Sequence, residues 1–336
     1  MLTSDIAERD DVFVAAAWEA VPAFGLHVRT ITVLSRSENV VCDVTLNDGR
    51  HVALRLHRPG YNTIEELRSE VRWVLALRDA DLPVPVPVPT VEGRYYTSIA
   101  VAGEVRHVGV IEWVDGDPLG GPVAESTPNV VAHYRRIGQL SAEIRSHGTT
   151  WQPPTGFTRR RWDADGLMGT DPLWGKFWEA EQLDDSIRAL FAEARTVLHV
   201  ELAALSVEKD RFGLIHADLH LGNLMATGPD LTMIDFDDSG FGWFAHELAV
   251  SLHPVKDELW YPEARTALLA GYRDVWPLDL EEEDLVDLFL VVRSLMIVGW
   301  LAARPDIPVY HFFAGLAEDA ASMVNRHLGL GGSVGS

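Results

Sequence analysis

Three oxygen-bearing side chains in the second half of the chain have types and spacings suited to phosphate chemistry. Asp218 is followed five residues later by Asn223, and Asp235 ends a nearby apolar run. Phosphoryl transfer needs a group that orients the acceptor hydroxyl, and ligands for the metal ions that bridge the nucleotide phosphates. Aspartate and asparagine suit this task because magnesium prefers oxygen ligands. The spacing places a base and a metal ligand on one short loop, and lets a second aspartate reach the same metal from the adjoining strand.

The elements that must hold these residues begin with a β-rich region. Apolar runs predict strands at Val28 to Leu34, Val40 to Leu46 and His51 to Leu56, after a short helix at residues 12–20. Asn47-Asp48-Gly49 lies between the second and third runs and is a strong signal for a tight hairpin turn. We therefore expect an antiparallel sheet early in the chain.

A helix and an extended connector follow these strands. Apolar residues recur at helical spacing over residues 63–78, and Thr63, with a glutamate three residues later, forms a capping-box pattern. The alternating prolines of residues 83–89 exclude a helix and predict an extended connector. Two more strands are expected around Tyr95 to Ala100 and Arg106 to Trp113.

The second half of the chain is mainly helical. Helical spacing is found at Val130 to Arg145, Asp184 to Leu205, Glu263 to Val275, Glu281 to Ala303, and Ala314 to His327. One short β-like region, Phe212 to Met233, interrupts these helices. The patterns predict an α+β protein with a small lobe at residues 1–108, a hinge at 109–117 and a larger lobe at 118–336.

The residues from His216 to Asn223 resemble the catalytic-loop signature of the aminoglycoside phosphotransferase and choline kinase family, which is distantly related to protein kinases. Ile234 to Asp238 is similar to the metal-binding strand end of that family, and Phe244 to Ala249 resembles the segment that follows it. Within the family, the closest likeness is to the branch of stress-response kinase A and type II homoserine-kinase-like proteins. The resemblance covers about residues 28–305. It implies a bilobal protein-kinase-like fold, with a small antiparallel-sheet lobe for the nucleotide and a larger, mainly helical lobe for catalysis and substrate.

The resemblance also implies a role for each matched residue. Asp218 is the expected catalytic base, and Asn223 and Asp235 are the expected magnesium ligands. The expected ATP contacts are Arg55 on the α- and β-phosphates, paired with Glu70, then Ser37 and Asn39 in the nucleotide-covering loop, and Glu112 and Trp113 near adenine. The implied cofactors are therefore ATP and Mg²⁺.

One position departs from the family pattern. The family commonly has lysine at the position of Arg55, and the lysines of this chain, Lys176, Lys209 and Lys256, all lie outside the small lobe. Arginine keeps its charge and binds phosphate bidentately, but its fork is wider than an ammonium group. We keep the prediction of activity and expect the geometry at the phosphates to differ.

Several residues near the motif have a structural interpretation beside a chemical one. His216 and His220 are expected to bond backbone groups and hold the loop. Asp237 is either a second metal ligand or a solvated or capping residue. The run from Arg159 to Arg161 is either a solvated face that pairs with carboxylates or a contact to substrate or phosphate.

Composition and charge exclude some partners. The formal net charge is −22, so we expect no attraction to nucleic-acid backbones or anionic membranes. Cys42 is the only cysteine, which excludes an intrachain disulfide and a cysteine-based zinc cluster and suits the cytoplasm.

The first residues lack the pattern of a signal peptide. Leu285 to Ala303 contains Asp287 and Arg293, so we expect a buried core helix there rather than a membrane span.

We predict an ATP- and magnesium-dependent phosphotransferase that acts on a hydroxyl of a small molecule, such as an aminoglycoside, an amino alcohol, a sugar or a homoserine-like compound. The acidic balance leaves a cationic substrate open. Three alternatives also stay open. They are a protein Ser/Thr kinase of the stress-response type, a nucleotide-binding pseudokinase, and a metal-dependent hydrolase with His216, Asp218 and His220 as zinc ligands.

Overall fold

The computed structural model describes residues 2–36, 39–120, 130–305 and 308–330. The chain divides into two compact units. The first unit comprises Met1–Asp117, Pro153–Arg159 and Met225–Asp237, and the second comprises Pro118–Gln152, Arg160–Leu224 and Asp238–Ser336. Two later segments thus belong with the N-terminal part of the chain, and one of them contains Asp235. The predicted lobe and hinge boundaries stay predictions.

The helices and strands are numbered in chain order. Up to residue 120 they are α1 (Leu2–Ala20), β1 (Val28–Arg36), β2 (Val40–Leu46), β3 (His51–Leu56), α2 (Ile64–Asp79), β4 (Tyr96–Val101), β5 (Glu104–Glu112) and β6 (Asp117–Pro118). From residue 130 they are α3 (Val130–Thr150), β7 (Arg161–Trp162), α4 (Ala164–Met168), α5 (Asp185–Ala203), β8 (Phe212–Ile215), β9 (Leu224–Thr227), β10 (Asp230–Met233), β11 (Gly240–Trp243), α6 (Phe244–Leu252), α7 (Tyr261–Val275), α8 (Leu280–Ala302) and α9 (Phe313–His327). Short 3₁₀ helices lie at Val21–Phe24, Phe177–Glu179, Leu221–Asn223, His253–Val255 and Pro308–Phe312.

Five strands of the first unit form one antiparallel sheet, in the order β1-β2-β3-β5-β4. Successive side chains of a strand point to opposite faces of the sheet. Leu54 and Leu56 of β3 enter the apolar core that the sheet shares with α1. Ala53 and Arg55 therefore point to the other face, where they line a pocket. Because Arg55 alternates with the apolar residues Leu54 and Leu56, the sequence predicts on which face of the sheet Arg55 lies.

The helix α2 places Glu70 near the same face. It begins at the predicted capping box, in which the Thr63 hydroxyl accepts the backbone N–H of Glu66 at 3.2 Å and the Glu66 carboxylate accepts the N–H of Thr63 at 2.8 Å. The buried side of α2 carries Leu67 and Trp73 together with Glu70. The helical spacing thus directs a carboxylate into the interior of the first unit.

Two helices of the second unit, α3 and α7, pack with their backbones close together. A Cβ atom added at Gly138 would lie 1.9 Å from the carbonyl oxygen of Leu268. A Cβ atom added at Gly271 would lie 1.9 Å from the carbonyl oxygen of Arg135. The contact therefore depends on glycine on each helix, because any side chain would force the two backbones apart.

A small sheet of the second unit leads into the predicted catalytic loop. Its strand order is β7-β11-β8, with β8 and β11 antiparallel. β8 ends at Ile215, directly before the loop that carries Asp218, and β11 leads directly into α6. The sheet thus fixes the start of the loop and the start of the helix behind it.

The helix α8 has the length and apolar composition of a membrane span, and is the one such helix among the described residues. However, 67% of its apolar window is buried inside the protein, where it packs against α6 and α9. This is the position of a core helix, as predicted for Leu285 to Ala303. A cytoplasmic location stays a prediction.

The predicted fold class is confirmed, with an antiparallel sheet followed by a mainly helical region. The predicted hairpin turn is present, since Gly49 has a φ of 88° and donates its N–H to Leu46 at 3.0 Å. The helix predicted at residues 12–20 begins earlier, at Leu2. The strands β7 and β11 were not predicted, because two or four residues are too few to show a periodic pattern.

Replacement of Gly138 by alanine is expected to lower the free energy of unfolding by about 1–3 kcal/mol or more, because the new methyl group collides with backbone. Gly315 of α9 is the matched control. A Cβ there meets no atom within 4 Å, so Gly315→Ala should stabilise the protein by about 0.5–1 kcal/mol. Urea unfolding measures both variants. Equal changes in the two would contradict the close contact of α3 and α7.

Candidate active site

A pocket of the first unit has an apolar side and a charged side. Its volume is about 630 Å³ when the open solvent at its mouth is included. The apolar lining comes from the sheet, α2 and the proline-rich connector, and includes Val41, Ala53, Val71, Val74, Pro85 and Ile111. The charged lining comes from Arg55, Glu70 and Asp235. Three residues that the sequence selected for phosphate and metal binding therefore line one pocket.

The Arg55 guanidinium pairs with two carboxylates that follow β10. Its Nη1 lies 3.0 Å from Asp235 Oδ1 and 3.0 Å from Asp237 Oδ1. The Asp235 side chain is 40% exposed and the Asp237 side chain 5% exposed. Asp235 also has a φ of 64°, a left-handed conformation that costs free energy in a non-glycine residue. Asp235 is thus the accessible carboxylate, and Asp237 is the one that anchors Arg55.

Asp237 collects several buried partners. Asn39 donates its Nδ2 to Asp237 Oδ2, and His57 Nδ1 lies 3.7 Å from Asp237 Oδ1. Burial by itself raises the pKa of Asp237, but Arg55 and His57 outweigh it and lower the pKa to about 2. Asn39 also accepts the backbone N–H of Arg58 at 3.0 Å. These contacts favour an anchoring role for Asp237 over the metal-binding role considered from the sequence.

Glu70 has a different partner from the predicted one. Its Oε2 lies 3.6 Å from Nη1 of Arg159, whereas Arg55 pairs with the two aspartates described above. Arg159 also donates to the carbonyl oxygens of Phe236 at 3.2 Å and Asp237 at 2.7 Å. In the structure, Glu70 therefore pairs with the buried Arg159 and not with Arg55 as predicted. Arg159 also bonds the backbone that follows Asp235.

The charge state of Glu70 follows from its burial. Burial raises the pKa of Glu70 to about 8, Asp237 adds to the rise, and Arg159 and Arg55 offset only part of it. The separation of 3.6 Å from Arg159 exceeds the length of a good hydrogen bond. Glu70 is accordingly protonated for the most part at neutral pH, and its contact with Arg159 is weaker than a full ion pair.

The second unit holds the catalytic-loop motif. The Nδ2 of Asn223 donates to the carbonyl oxygen of Asp218 and to its Oδ2, each at 2.8 Å. The short 3₁₀ turn Leu221–Asn223 brings Asn223 back to Asp218. Both bonds use the amide nitrogen, so the amide oxygen of Asn223 takes part in neither of them.

His216 and His220 hold this loop, as the sequence predicts. His216 Nδ1 accepts the backbone N–H of Asp218 at 3.3 Å, and His220 Nδ1 accepts the N–H of Gly222 at 3.0 Å. His220 Nε2 also lies 3.4 Å from Asp218 Oδ2. Across residues 2–36, 39–120, 130–305 and 308–330, no group of three or more His, Cys, Asp or Glu side chains could hold a metal ion. His216 and His220 bond backbone N–H groups of the loop, which favours the scaffolding role over the role of zinc ligands.

Glu247 of α6 fixes the start of the loop. Its two carboxylate oxygens accept the N–H of His216 at 2.9 Å and the N–H of Ala217 at 2.8 Å. Ala217 has a φ of 66°, so these bonds stabilise a strained backbone directly before Asp218. Burial raises the pKa of Glu247 to about 7, although the two N–H donors lower it in part. Glu247 thus acts on the backbone that positions Asp218.

Asp218 lies among positive and donating groups. Arg293 of α8 donates its Nη2 to Asp218 Oδ1, while Asn223 and His220 contact Oδ2. Burial alone would raise the pKa of Asp218, but His220 and Arg293 outweigh it and hold the pKa well below its usual range. Asp218 is therefore ionised at neutral pH, in the state that accepts a hydrogen bond from a hydroxyl group.

Other predicted contacts lie outside the pocket. Neither Glu112 nor Trp113 lines it. The Glu112 N–H donates to the carbonyl oxygen of Val86 at 2.8 Å, and the Trp113 ring packs on His51 with centroids 5.5 Å apart. Ser37 is outside the described residues. The roles of these residues in ATP binding stay predictions.

The shared magnesium ion of Asn223 and Asp235 also stays a prediction. Asn223 belongs to the second unit and Asp235 to the first. Each has the surroundings of a ligand within its own unit, since one keeps its amide oxygen and the other an accessible carboxylate.

Sequence reasoning did not assign Arg159 or Arg293 to the site. The signal for Arg159 was the arginine triplet in an acidic chain, and the signal for Arg293 was a charge within an apolar helix. Both side chains are buried, and their carboxylate partners are distant in sequence, at Glu70 and Asp218. Local pattern shows that such a charge is unusual but does not show which partner it meets.

A family model described as the phosphotransferase enzyme family matches residues 30–284. The chain belongs to this family. The family predicted from the motifs and the predicted class of activity, transfer of phosphate to an alcohol group, are confirmed. Stress response kinase A from Salmonella and homoserine kinase from Methylobacterium radiotolerans are also among the relatives of this phosphotransferase.

Two kinds of kinase resemble this phosphotransferase over most of their length. Amicoumacin kinase from Bacillus subtilis is 26% identical over 309 residues, which is 86% of this chain and 84% of the relative. The solved structure of the microcompartment-associated aminopropanol kinase is 30% identical, has a TM-score of 0.83, and covers 94% of this chain and 98% of its own. The amicoumacin kinase hAmiN in complex with AMP-PNP, Ca²⁺ and Ami is 20% identical with a TM-score of 0.73, covers 88% of this chain and 90% of its own, and shares the fold.

Glu70 is expected to contribute a fall in stability with rising pH, because it ionises at a higher pH in the folded protein than in the unfolded chain. Burial raises the pKa of Glu70 from 4.5 to about 8, so its contribution is fully present below pH 4.5 and is lost as the pH rises through 8. In that window the folded protein holds one more proton than the unfolded chain. The free energy of unfolding should therefore fall by up to about 1.4 kcal/mol per pH unit from this group.

Glu70→Gln isolates this contribution, because the amide stays neutral. In urea unfolding between about pH 5 and about pH 8, the free energy of unfolding of the unchanged protein should fall relative to that of Glu70→Gln as the pH rises. Glu193→Gln, at an exposed position of α5, is the control and should keep the original slope. Parallel curves for all three proteins would show that Glu70 is already ionised in the folded state.

Proposed function

We propose that this phosphotransferase uses ATP and Mg²⁺ to phosphorylate the hydroxyl group of a small amino alcohol. The observation that carries the proposal is the fixed geometry of Asp218, whose ionised carboxylate is held by Asn223 at 2.8 Å within the family's catalytic loop. The likeness to aminopropanol kinase over nearly the full chain supports an amino alcohol as the acceptor.

Asp218 acts on the acceptor hydroxyl. Its carboxylate accepts a hydrogen bond from the hydroxyl and directs the oxygen toward the phosphorus atom. Because its neighbours hold its pKa below the usual range, Asp218 is a weak base. It therefore takes the proton late, when the new O–P bond is already forming, as suits a loose transition state. Orientation is its main contribution, and proton acceptance completes the step.

Asn223 and Asp235 fit magnesium by their chemistry. Both offer hard oxygen atoms, one from an amide whose nitrogen is already engaged by Asp218 and one from an accessible carboxylate. A metal held by these two side chains would offset the negative charge of the nucleotide phosphates. Two protein ligands are enough, because magnesium usually keeps waters and phosphate oxygens as its other ligands.

The pocket of the first unit suits a nucleotide. Burial would lower the pKa of Arg55, but Asp235 and Asp237 raise it above its ordinary value, so the guanidinium stays charged. Its fork can bind two phosphate oxygens, which compensates for the lysine that relatives commonly have. Val41 and Ala53 line the pocket beside Arg55 and offer apolar surface to adenine.

An assay of ADP release against a panel of acceptors tests the proposed substrate class. The panel contains aminopropanol and ethanolamine, each with the diol in which a hydroxyl replaces the amine, together with homoserine, an aminoglycoside, a sugar and a serine-containing peptide. We expect kcat/KM for the amino alcohols to exceed that for the diols by about tenfold or more. Turnover with the peptide alone would favour a protein kinase, and ATP binding without any turnover would favour a pseudokinase.

The same assay tests the role of Asp218. Asp218→Asn should lower kcat by about 10²–10⁴-fold, because an amide has no negative charge with which to orient the hydroxyl and cannot accept its proton. Asp230→Asn is the matched control at an exposed position of β10, and it should leave kcat unchanged. Retained turnover in Asp218→Asn would mean that another group orients the acceptor.

A further inference from the structure

Arg293 is a charged residue in the apolar, buried part of a helix. It lies on α8, where the neighbouring Val291, Val292 and Leu295 are buried. The Arg293 side chain is itself only 6% exposed, and its Nη2 donates to Asp218 Oδ1. Removing a guanidinium from water costs several kcal/mol, which an ion pair recovers only when its geometry is good. Its presence therefore calls for a reason beyond packing.

The remaining contacts of Arg293 lock its position. Its guanidinium carbon lies 4.3 Å from the centre of the Trp174 ring, within the range of a cation–π contact. Trp174 in turn directs its indole N–H to Asp238 Oδ1 at 3.4 Å, and Asp238 pairs with Arg160 at 2.9 Å. The guanidinium is thus held by a carboxylate at one edge and a fixed indole on its face.

One hydrogen-bond donor of the Arg293 guanidinium has no acceptor among the described residues. This donor, Nη1, is buried. Buried donors of a purely structural group are normally satisfied, since an unsatisfied one is costly. Among the described residues, Asp218 is thus the hydrogen-bond acceptor to which the Arg293 guanidinium is directed.

We propose that Arg293 is a positioning residue for the transfer step, which sets the rotation of the Asp218 carboxylate; this rests on the proposed function. Arg293 holds Oδ1 while Asn223 holds Oδ2 at 2.8 Å, so both oxygens have fixed places. A carboxylate has about four lone-pair sites, so a site remains for the acceptor hydroxyl. The direction of that site is then set by α8 and the Trp174 segment, neither of which belongs to the shared motifs.

Steady-state kinetics of Arg293→Met and Arg293→Lys test the proposal. Methionine keeps much of the packing on Trp174 but removes the charge and the donors. It should lower kcat by about 10²-fold, as expected when a reacting group is misplaced by about 1 Å, with KM for ATP changed by less than about threefold. Lysine keeps the charge without the fork and should recover part of kcat. Arg265→Met is the control, since it removes an arginine that pairs with Asp287 on the outside of α8, and it should leave kcat unchanged.

A double-mutant cycle separates positioning from a structural role. If Arg293 acts through the Asp218 carboxylate, Arg293→Met should cost less than about twofold in kcat when Asp218 is already asparagine. A loss of equal size in both backgrounds, a changed KM with unchanged kcat, or wild-type kcat in Arg293→Met would overturn the proposal. If Arg293→Met does not fold, Arg293→Lys in the same cycle decides. Absence of any turnover that depends on Asp218 in the unchanged protein would overturn the proposed function, and this proposal with it.

Discussion

The two hydrogen bonds from the Asn223 amide to Asp218 are the interaction on which the active-site geometry depends. They close the catalytic loop on itself, because one reaches the backbone of Asp218 and the other its carboxylate, each at 2.8 Å. They also orient the amide, so that its oxygen is available to a metal. Glu247 supports the arrangement from behind by bonding the strained backbone at Ala217. The loop thus holds the proposed base and a proposed metal ligand on one short segment.

The buried carboxylates around the two motifs are of two kinds. In one kind the pKa is lowered by nearby positive charge, and in the other it is raised by burial. Asp218 and Asp237 each have a close arginine and other donors, and their pKa values fall despite burial. Glu70 and Glu247 have partners that are more distant or uncharged, and their pKa values rise to about 8 and about 7. At Asp218 and Asp237, the close arginine together with a neighbouring histidine outweighs burial and keeps the carboxylate ionised.

The sequence predicts the parts of this structure that local rules determine. The turn at Gly49, the capping box at Thr63 and the face of β3 that carries Arg55 follow from turn chemistry and from periods of two and of about three and a half residues. The choice between Arg55 and Arg159 as the partner of Glu70 does not follow, because Arg159 lies 89 residues beyond Glu70 and reaches it only through the tertiary fold. Arg293 was visible as an anomaly in an apolar helix, but its contact with Asp218 depends on how α8 packs.

The most direct test of the account is a measurement of Mn²⁺ binding in the presence of AMP-PNP. Mn²⁺ takes the place of Mg²⁺, and electron paramagnetic resonance reports how much of it is bound. Asn223→Leu and Asp235→Leu keep the branched shape of the side chain, at a larger volume, and remove the ligand oxygens. The account predicts that each variant weakens Mn²⁺ binding by about tenfold or more, as loss of a metal-site residue usually does, while Asp230→Asn leaves it unchanged. Mn²⁺ affinity equal to that of the unchanged protein in both variants would contradict the claim that these two side chains hold the metal.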